Sequence, residues 1–180
     1  MIAQTSLPNV DAEIAEDRDA WTTPPAIWSI PIVAFRGTRF DLDPCSNNQA
    51  TVRAAVTIEP PADGLAVPWS ELVPRGGTVW LNPPFSSVEP WFQRAAEAAE
   101  AGLLVWGVVP YAPHIGAWRR RGPDWFWSLG RVAFVPPPGV RPSSPQQEHA
   151  LVLWGEVPAW VMGAVDADRS TLYRARRCPC

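Results

Sequence analysis

A strand, a helix and a second strand follow one another between residues 78 and 110, and this unit constrains the possible folds more than any other feature. The segment TVWL (78–81) and the continuous apolar run LLVWGVVP (103–110) have the character of buried strands. The alanine-rich segment between them predicts a helix that ends at Gly102. Because strand–helix–strand order is typical of α/β proteins, we expect a mostly parallel sheet.

Signals for the start of this helix lie just before its alanine-rich body. Ser86 and Glu89 have the spacing of a capping box, in which the two side chains bond each other's backbone N–H groups. Pro90 falls within the first turn, where its missing N–H is tolerated. We therefore expect the capping box to fix the beginning of the helix.

The rest of the chain is predicted to add shorter elements. Three further segments have strand character: residues 39–42, 131–136 and 149–155. The last two of these are expected to form a C-terminal β-hairpin at one edge of the sheet. A turn at residues 22–25 precedes a short helix that Pro31 limits or kinks. The segment HIGAWRRRG is either a short helix or a loop. Irregular structure is predicted over residues 47–75 and 136–148.

The length of 180 residues is that of one ordinary domain with a real core. We expect residues 1–20 to form a flexible arm, residues 21–165 the folded domain and residues 166–180 a polar, basic tail. The N-terminus is acidic and lacks the basic start and apolar stretch of a signal peptide, and no apolar run is long enough to span a bilayer. These features predict a soluble, cytoplasmic protein with no membrane partner.

Charge and cysteine content narrow the possible partners. The net charge of −3 excludes a globally basic nucleic-acid binder but not a local basic patch. All 15 basic residues are arginine, which can bind phosphate through two hydrogen bonds at once. The three cysteines do not form a disulfide framework, and with only two histidines no ligand set for zinc is evident. No metal is expected.

Unusual polar residues follow two of the predicted strands, in LDPCS (42–46) and LNPPFS (81–86). Ligands of open α/β sheets bind beyond the carboxyl ends of the strands. Pro83 forces Asn82 towards extended geometry, and the resulting stiff turn presents an amide oxygen beside a main-chain carbonyl. Two acceptors at fixed spacing suit an –NH₂ group, and Phe85 can stack on a planar ring. The alternative is that the segment is only a strand-ending turn.

Five short motifs occur in a fixed order along the chain: WTTPP (21–25), FDLDP (40–44), ADGL…W (62–69), NPPF (82–85) and LGRVAF (129–134). This ordered set resembles the small phage-type DNA N6-adenine methyltransferases, the Dam-like family. The resemblance covers roughly residues 20–155. It implies a Rossmann-like S-adenosylmethionine-dependent methyltransferase fold of reduced size, with residues 21–165 as the methyltransferase domain, and a base flipped out of the DNA into the NPPF pocket.

The resemblance also implies roles for individual residues. The target adenine N6 would be bound and oriented by Asn82, Pro83, Pro84 and Phe85. The methionine half of S-adenosylmethionine would contact Trp21, Thr22, Thr23 and Pro24. The cofactor's ammonium would pair with Asp43, which Pro44 follows, and its adenine amino group would contact Asp63, Gly64 and Leu65. Simpler alternatives are a turn aspartate at position 43 and an Asp-Gly turn at position 63.

Two departures from the family pattern concern the cofactor. The loop after the first strand, DPCSNN, contains no glycine, although such loops usually bring backbone close to the cofactor. Asp63 follows Asp43 by only 20 positions, so the usual second strand is short or missing, and Glu59 is a poor candidate for the ribose-binding acid. Alignment of the amine with the methyl sulfonium is mostly a matter of orientation, so scarce histidines do not argue against an enzyme. His114 and His149 are expected to be structural or exposed.

Arginines supply the candidate DNA contacts. The densest basic cluster is Arg119, Arg120 and Arg121, which lies among tryptophans that could stack on bases, and Arg131 is a further candidate for a phosphate contact. The alternative is a solvated turn beside core tryptophans. Trp69 and Trp80 are predicted to be core residues. The arginines of the tail, Arg174, Arg176 and Arg177, would be either a loose DNA contact or a solvated terminus.

Three functions fit these features of the sequence. The first is methylation of adenine N6 in DNA. The second is methylation of a protein glutamine amide or an RNA base amine by the same fold. The third is a catalytically inactive DNA-binding module of a phage, which the glycine-free loop favours. The recognition sequence is not evident, and a monomer is the simplest expectation for the oligomeric state.

Overall fold

The computed structural model describes residues 19–47, 49–167 and 173–177, the last of these by backbone only. The described residues form a seven-stranded sheet with helices on both faces. The strands are β1 (Phe40–Asp43), β2 (Ala54–Thr57), β3 (Thr78–Leu81), β4 (Leu104–Pro110), β5 (Trp125–Gly130), β6 (His149–Trp154) and β7 (Tyr173–Arg177). The helices are α1 (Pro25–Ala34), α2 (Glu89–Glu100), α3 (Gly116–Arg121) and α4 (Ala159–Ala167).

The order of strands across the sheet is β2-β1-β3-β4-β6-β5-β7. Strands β2, β1, β3 and β4 run parallel, whereas β6, β5 and β7 join by antiparallel pairing. The mixed α/β class is therefore as expected, but only half of the sheet is parallel. Strand β2 lies inside the segment predicted to be irregular, and its four residues are mostly exposed, which explains the weak apolar signal.

The strand predicted at residues 131–136 is wrong, because β5 lies directly before it at Trp125–Gly130. Gly130 has a φ of 63°, which ends the strand, and three prolines without N–H groups follow at residues 136–138. Val135 instead forms an isolated antiparallel bridge with Thr22. Strands β5 and β6 pair antiparallel, but β6 is an interior strand rather than part of an edge hairpin.

The segment predicted to be a tail, residues 166–180, includes residues of a helix and of a strand. Helix α4 extends to Ala167, and Tyr173–Arg177 forms β7, which pairs with β5 and closes that edge of the sheet. Arg174, Arg176 and Arg177 therefore belong to a strand. Residues 1–18 of the predicted arm, and residues 168–172 and 178–180 of the predicted tail, lie outside the described residues.

Helix α2 is confirmed in place but begins differently from the capping-box prediction. Its N-cap is Val88, whose side chain has no hydrogen-bonding atom, and a 3₁₀ turn at Phe85–Ser87 precedes it. Gly102, at a φ of 91°, follows its C-terminus as expected. In α1, Pro31 lies inside the helix rather than at its end.

The two faces of the sheet carry separate apolar clusters. Helices α2 and α3 cover one face, where Phe92 and Trp118 pack against strand residues such as Leu81. Helices α1 and α4 cover the other face, where Trp80, Trp106 and Trp127 are buried. Trp69 and Trp80 are core residues, as predicted. Among the described residues no helix has both the length and the apolarity to cross a membrane.

Candidate active site

The carboxyl ends of the parallel strands and the start of β6 meet at one edge of the sheet, because β6 runs antiparallel to β4. Strand β1 ends there at Asp43, and β3 ends at Leu81, directly before Asn82. Strands β1 and β3 pair in parallel with Leu42 opposite Val79, so their carboxyl ends lie side by side. We call this side of the sheet, where these strand ends lie, the carboxyl edge, as distinct from the outer strands β2 and β7.

Asn82 is half-buried and holds its amide in one orientation. Its Nδ2 donates a hydrogen bond to the carbonyl of Trp21 at 3.3 Å. Its Oδ1 is buried and has no hydrogen-bond partner among the described residues. Buried polar atoms are nearly always paired, so an orphaned amide oxygen at a strand end indicates an acceptor kept for a ligand.

Asn82 lines a cavity of about 310 Å³, which lies at the small end of the range for small-molecule sites. Pro83, Phe85 and Trp21 line it with Asn82, and residues 143–147 of the loop before β6 form the opposite side. Pro84 provides the backbone turn that leads into the 3₁₀ segment, with φ of −52° and ψ of 119°. The NPPF segment thus contributes three of its four side chains to one cavity.

Three rings form an aromatic wall of this cavity. The Phe85 centroid lies 5.5 Å from that of Phe134 and 5.4 Å from that of His149, and the latter two are 4.9 Å apart. The sequence predicted Phe134 to lie in a strand and His149 to be structural or exposed. Both line the cavity, because β6 starts at the carboxyl edge.

His149 is buried, with 3% of its surface exposed. Its Nδ1 accepts a hydrogen bond from the Val132 N–H at 3.4 Å. Burial lowers the pKa of His149 to about 4. At neutral pH the imidazole is therefore uncharged, and because Nδ1 is an acceptor, the proton is on Nε2.

Residues 19–22 cross the carboxyl edge, and we call them the crossing segment. The Asp19 carboxylate accepts hydrogen bonds from the Phe85 N–H at 3.0 Å and from the Ser86 hydroxyl at 2.6 Å. Because the Ser86 hydroxyl donates to Asp19, it does not form the hydrogen bond that the capping-box prediction assigned to it. Asp19 is thus an ordered residue, although the sequence predicts it to be part of the flexible arm. The signal for its role is its position two residues before the WTTPP motif.

The rest of the crossing segment is bonded to both strand-end loops. The Ala20 carbonyl accepts from Asn47 Nδ2 at 3.3 Å, in the loop after β1. Thr22 exchanges backbone hydrogen bonds of 3.0 and 2.9 Å with Val135. Thr22 and Thr23 are buried, and Thr23 Oγ1 has no hydrogen-bond partner among the described residues. Pro24 follows as the N-cap of α1.

Asp43 is a buried carboxyl group at the end of β1, with 3% of its surface exposed. The pKa of Asp43 is raised from 3.8 to about 7, mainly because burial disfavours the charged carboxylate. A 3.1 Å hydrogen bond from the Cys45 N–H lowers this pKa, whereas the charge of Glu59 raises it further. The pKa of the Cys45 thiol lies above its ordinary value because of burial and then because of Asp43, Asp19 and Asp63. Acidic groups therefore converge around Cys45.

The Asp63–Leu65 segment packs directly against the end of β1. A Cβ atom on Gly64 would lie 1.8 Å from the Pro44 carbonyl oxygen, so only glycine fits there. The Asp63 side chain is exposed, and its Oδ1 accepts from the Leu65 N–H at 2.8 Å, as in an ordinary Asp-Gly turn. The segment is thus beside Asp43, but Asp43 is not among the residues that line the Asn82 cavity.

The arginine cluster of α3 lies elsewhere. Arg120 forms an ion pair with Glu89, and Arg121 forms one with Glu100 at 3.2 Å. With Arg119 they line a second cavity, of about 700 Å³, beside the opposite ends of β4 and β6. The two cavities share no lining residue. The cluster is therefore not brought to Asn82, whereas Arg131 is exposed and adjoins Val132, which lines the Asn82 cavity.

Within the described ranges, no group of three or more His, Cys, Asp or Glu side chains is arranged to hold a metal ion. No curated protein sequence and no solved structure matches the chain. A family model described as DNA N-6-adenine-methyltransferase (Dam) matches residues 12–156, which is most of the chain and includes every motif at the carboxyl edge. The chain therefore belongs to the DNA N-6-adenine-methyltransferase (Dam) family.

Proposed function

We propose that the protein transfers a methyl group from S-adenosylmethionine to the N6 amino group of adenine in DNA. The observation that carries this proposal is the buried Oδ1 of Asn82, which has no hydrogen-bond partner in the described part of the chain and lies in an aromatic cavity at the end of β3. An exocyclic amine supplies the N–H donor that this oxygen lacks. Family membership supplies the class of reaction.

The geometry around Asn82 favours a flat, amine-bearing substrate. The bond from Nδ2 to the Trp21 carbonyl keeps the amide from rotating, so Oδ1 is directed at the amine rather than Nδ2. Phe85, held through its backbone N–H by Asp19, offers a ring face for stacking. A base inside a duplex cannot reach a cavity of this kind, so the target adenine would be flipped out of the stack.

The residues around Asp43 fit S-adenosylmethionine in charge and in hydrogen-bonding capacity. The cofactor carries a sulfonium and an ammonium, and the acidic groups Asp43, Asp19 and Asp63 lie near one another at the carboxyl edge. The buried Thr23 Oγ1 has no hydrogen-bond partner within the ranges that the structure describes and could bond the methionine half. Gly64 and Leu65 would lie along its adenine. When bound, the cofactor would supply an electrophilic methyl group.

The chain's own contribution is orientation of the amine. Asn82 Oδ1 accepts one N6–H bond and thereby turns the nitrogen lone pair away from the ring and towards the methyl donor. The new N–C bond would form as the methyl–sulfur bond of the donor breaks and leaves a neutral thioether. The second N6 proton would leave to solvent, so no side chain needs to act as a strong base. Holding reactants in line is sufficient to account for a large part of such a rate enhancement.

The test is the substitution Asn82→Ala, measured by the formation of N6-methyladenine in digested DNA. We expect a loss of at least roughly 100-fold in kcat, as for other single positioning groups aimed at a reacting atom. The matched control is Asp166→Ala, which also removes one part-buried side-chain hydrogen bond, the 2.8 Å bond from Trp127, but lies on α4. The control should keep its activity, while both variants lose about 1 kcal/mol of stability.

Parallel incubations with RNA and with protein substrates distinguish the remaining possibilities. Methyl transfer to RNA or to protein, with none to DNA, would replace the proposed substrate but leave the proposed chemistry. Full activity of the Asn82→Ala variant on DNA would refute the assigned site. Absence of S-adenosylmethionine binding by calorimetry would refute the enzyme itself and favour an inactive DNA-binding module.

A further inference from the structure

His149 is the polar side chain of the aromatic wall, and it has an unused hydrogen-bond donor. The Val132 N–H occupies its Nδ1, so the proton of the neutral ring is on Nε2. His149 lines the Asn82 cavity, and among the described residues only its Nδ1 is engaged in a hydrogen bond, so the Nε2–H group is available to a ligand there. A donor that borders a cavity can bond a ligand that enters it, and a ligand that offers an acceptor at this place would be favoured over one that does not.

The position of this donor relative to Asn82 matches one nucleobase between them. Both residues line the same cavity, and their strands, β3 and β6, flank β4. Two strand spacings separate their backbones by roughly 10 Å, which leaves room for a single ring system between the two side chains. The Phe85 ring lies beside the imidazole, with ring centroids 5.4 Å apart and 35° between their planes, so a base that stacks on Phe85 in this cavity would also lie close to His149.

We propose that His149 is a specificity-determining residue that donates its Nε2–H to a ring nitrogen flanking the target amine. The inference rests on the proposed function and deepens it. Adenine has an amine donor at C6 beside the acceptors N1 and N7, which complements an acceptor at Asn82 and a donor at His149. Guanine and thymine have a carbonyl where adenine has its amine, and they would face Asn82 Oδ1 with a second acceptor.

Adenine analogues test this without any change to the protein. Mixed-sequence DNA is prepared with every adenine replaced by 1-deazaadenine, 7-deazaadenine or, as a control, 3-deazaadenine, whose missing nitrogen is remote from the amine. We expect kcat/KM for one of the first two to fall roughly ten- to a hundredfold, as for a site whose buried polar group is left unpaired. The 3-deaza substrate should behave like adenine. Equal rates on all four substrates would overturn the proposal.

Two variants connect the analogue effect to His149. His149→Phe keeps a stacking ring and removes the donor, so it should lose activity on adenine by a similar factor and no longer distinguish adenine from the sensitive analogue. His149→Gln restores an N–H donor and should recover part of both the rate and the discrimination. If His149→Phe, shown to be folded by its circular dichroism, still discriminates as the wild type does, His149 does not read the base.

Binding is measured separately so that the proposed function and this inference can fail independently. Equilibrium Kd values are compared for oligonucleotides carrying one unpaired adenine or one unpaired deaza analogue, with the wild type and with His149→Phe. One outcome is a protein that forms no N6-methyladenine and yet binds adenine more tightly than the analogue. If the His149→Phe variant lacks this preference, the result would refute the methylation proposal and support the role of His149. The same Kd ratio in both proteins would overturn the role of His149.

Discussion

Single side chains at the carboxyl edge are kept in states that lower the stability of the fold. Asp43 is the clearest case, because its burial makes its charged form unfavourable and raises its pKa to about 7. The folded protein keeps this proton up to about pH 7, whereas the unfolded chain releases it near the ordinary value of 3.8. Stability should therefore fall as pH rises through this window, and the full cost is present above it. A site for a cationic group accounts for retaining such a carboxylate.

The substitution Asp43→Asn tests this cost. Asparagine keeps an oxygen for the Cys45 N–H but cannot ionise, so we expect the variant to gain on the order of 4 kcal/mol in the free energy of unfolding at pH 8 and little at pH 4. Denaturant unfolding across this pH range measures the difference. Calorimetry should show weaker S-adenosylmethionine binding by the variant. A variant no more stable than the wild type at pH 8 would contradict the assigned ionisation.

At the scale of elements, the site is assembled by segments that hold two strand-end loops together. The crossing segment bonds Asn47 after β1 and Asn82 after β3, and the Asp63–Leu65 segment packs on Pro44. Each contact joins residues distant in sequence, and most involve backbone atoms. The position of Asn82 relative to Asp43 therefore depends on loops rather than on the sheet alone.

This dependence explains which features could be predicted from the sequence. Four elements could be predicted because each is rich in apolar residues and is bounded by Gly or Pro: β3, α2, β4 and β6. NPPF at a strand end and the Asp-Gly turn were predictable from local chemistry. Asp19 and His149 were not, because their roles come from long-range pairing of β6 with β4 and of residue 19 with the NPPF turn.

The sequence predicted a strand at residues 131–136 rather than at β5, and long-range packing again explains the difference. The segment RVAFVP has a continuous apolar run typical of a strand, yet the tryptophan-rich WFWSLG beside it occupies the sheet, where Trp127 stacks on Trp106 with ring centroids 5.6 Å apart. Tertiary packing of large rings outweighed the local β propensity. The displaced segment instead supplies Val132 and Phe134 to the cavity.

Gly64→Ala tests the packing of one loop on the other. The added Cβ would overlap the Pro44 carbonyl oxygen at 1.8 Å, so the Asp63–Leu65 segment must move away from Asp43. We expect lower thermal stability and S-adenosylmethionine binding weakened at least roughly tenfold, since small displacements of positioning groups are costly. Gly163→Ala is the matched control, because a Cβ there meets open space within α4 and should stabilise the helix by up to about 1 kcal/mol. Unchanged cofactor affinity in Gly64→Ala would show that this segment takes no part in binding.

At the scale of the whole molecule, charge is distributed unequally between the two ends of the sheet. Acidic groups gather near Cys45 at the carboxyl edge, where a cationic cofactor is proposed. The proposed function also requires DNA to approach this edge, because the target base would bind at Asn82. Exposed arginines there, Arg131 and Arg141, flank or belong to the loop that borders the Asn82 cavity. The α3 arginines, in contrast, line the second cavity, and two of them are paired with α2 glutamates.

This distribution predicts which arginines bind the DNA backbone. The double substitution of Arg131 and Arg141 to serine should weaken DNA binding for all sequences alike. It should also reduce the slope of log K against log salt concentration by about 1 for each phosphate that the variant no longer neutralises. Arg119→Ser, an exposed arginine beside the other cavity, is the matched control and should leave both the affinity and the slope unchanged. The reverse result, a reduced slope for Arg119→Ser alone, would place the DNA against α3. Because the cavity beside α3 shares no lining residue with the Asn82 cavity, that result would contradict the assignment of Asn82 to the base.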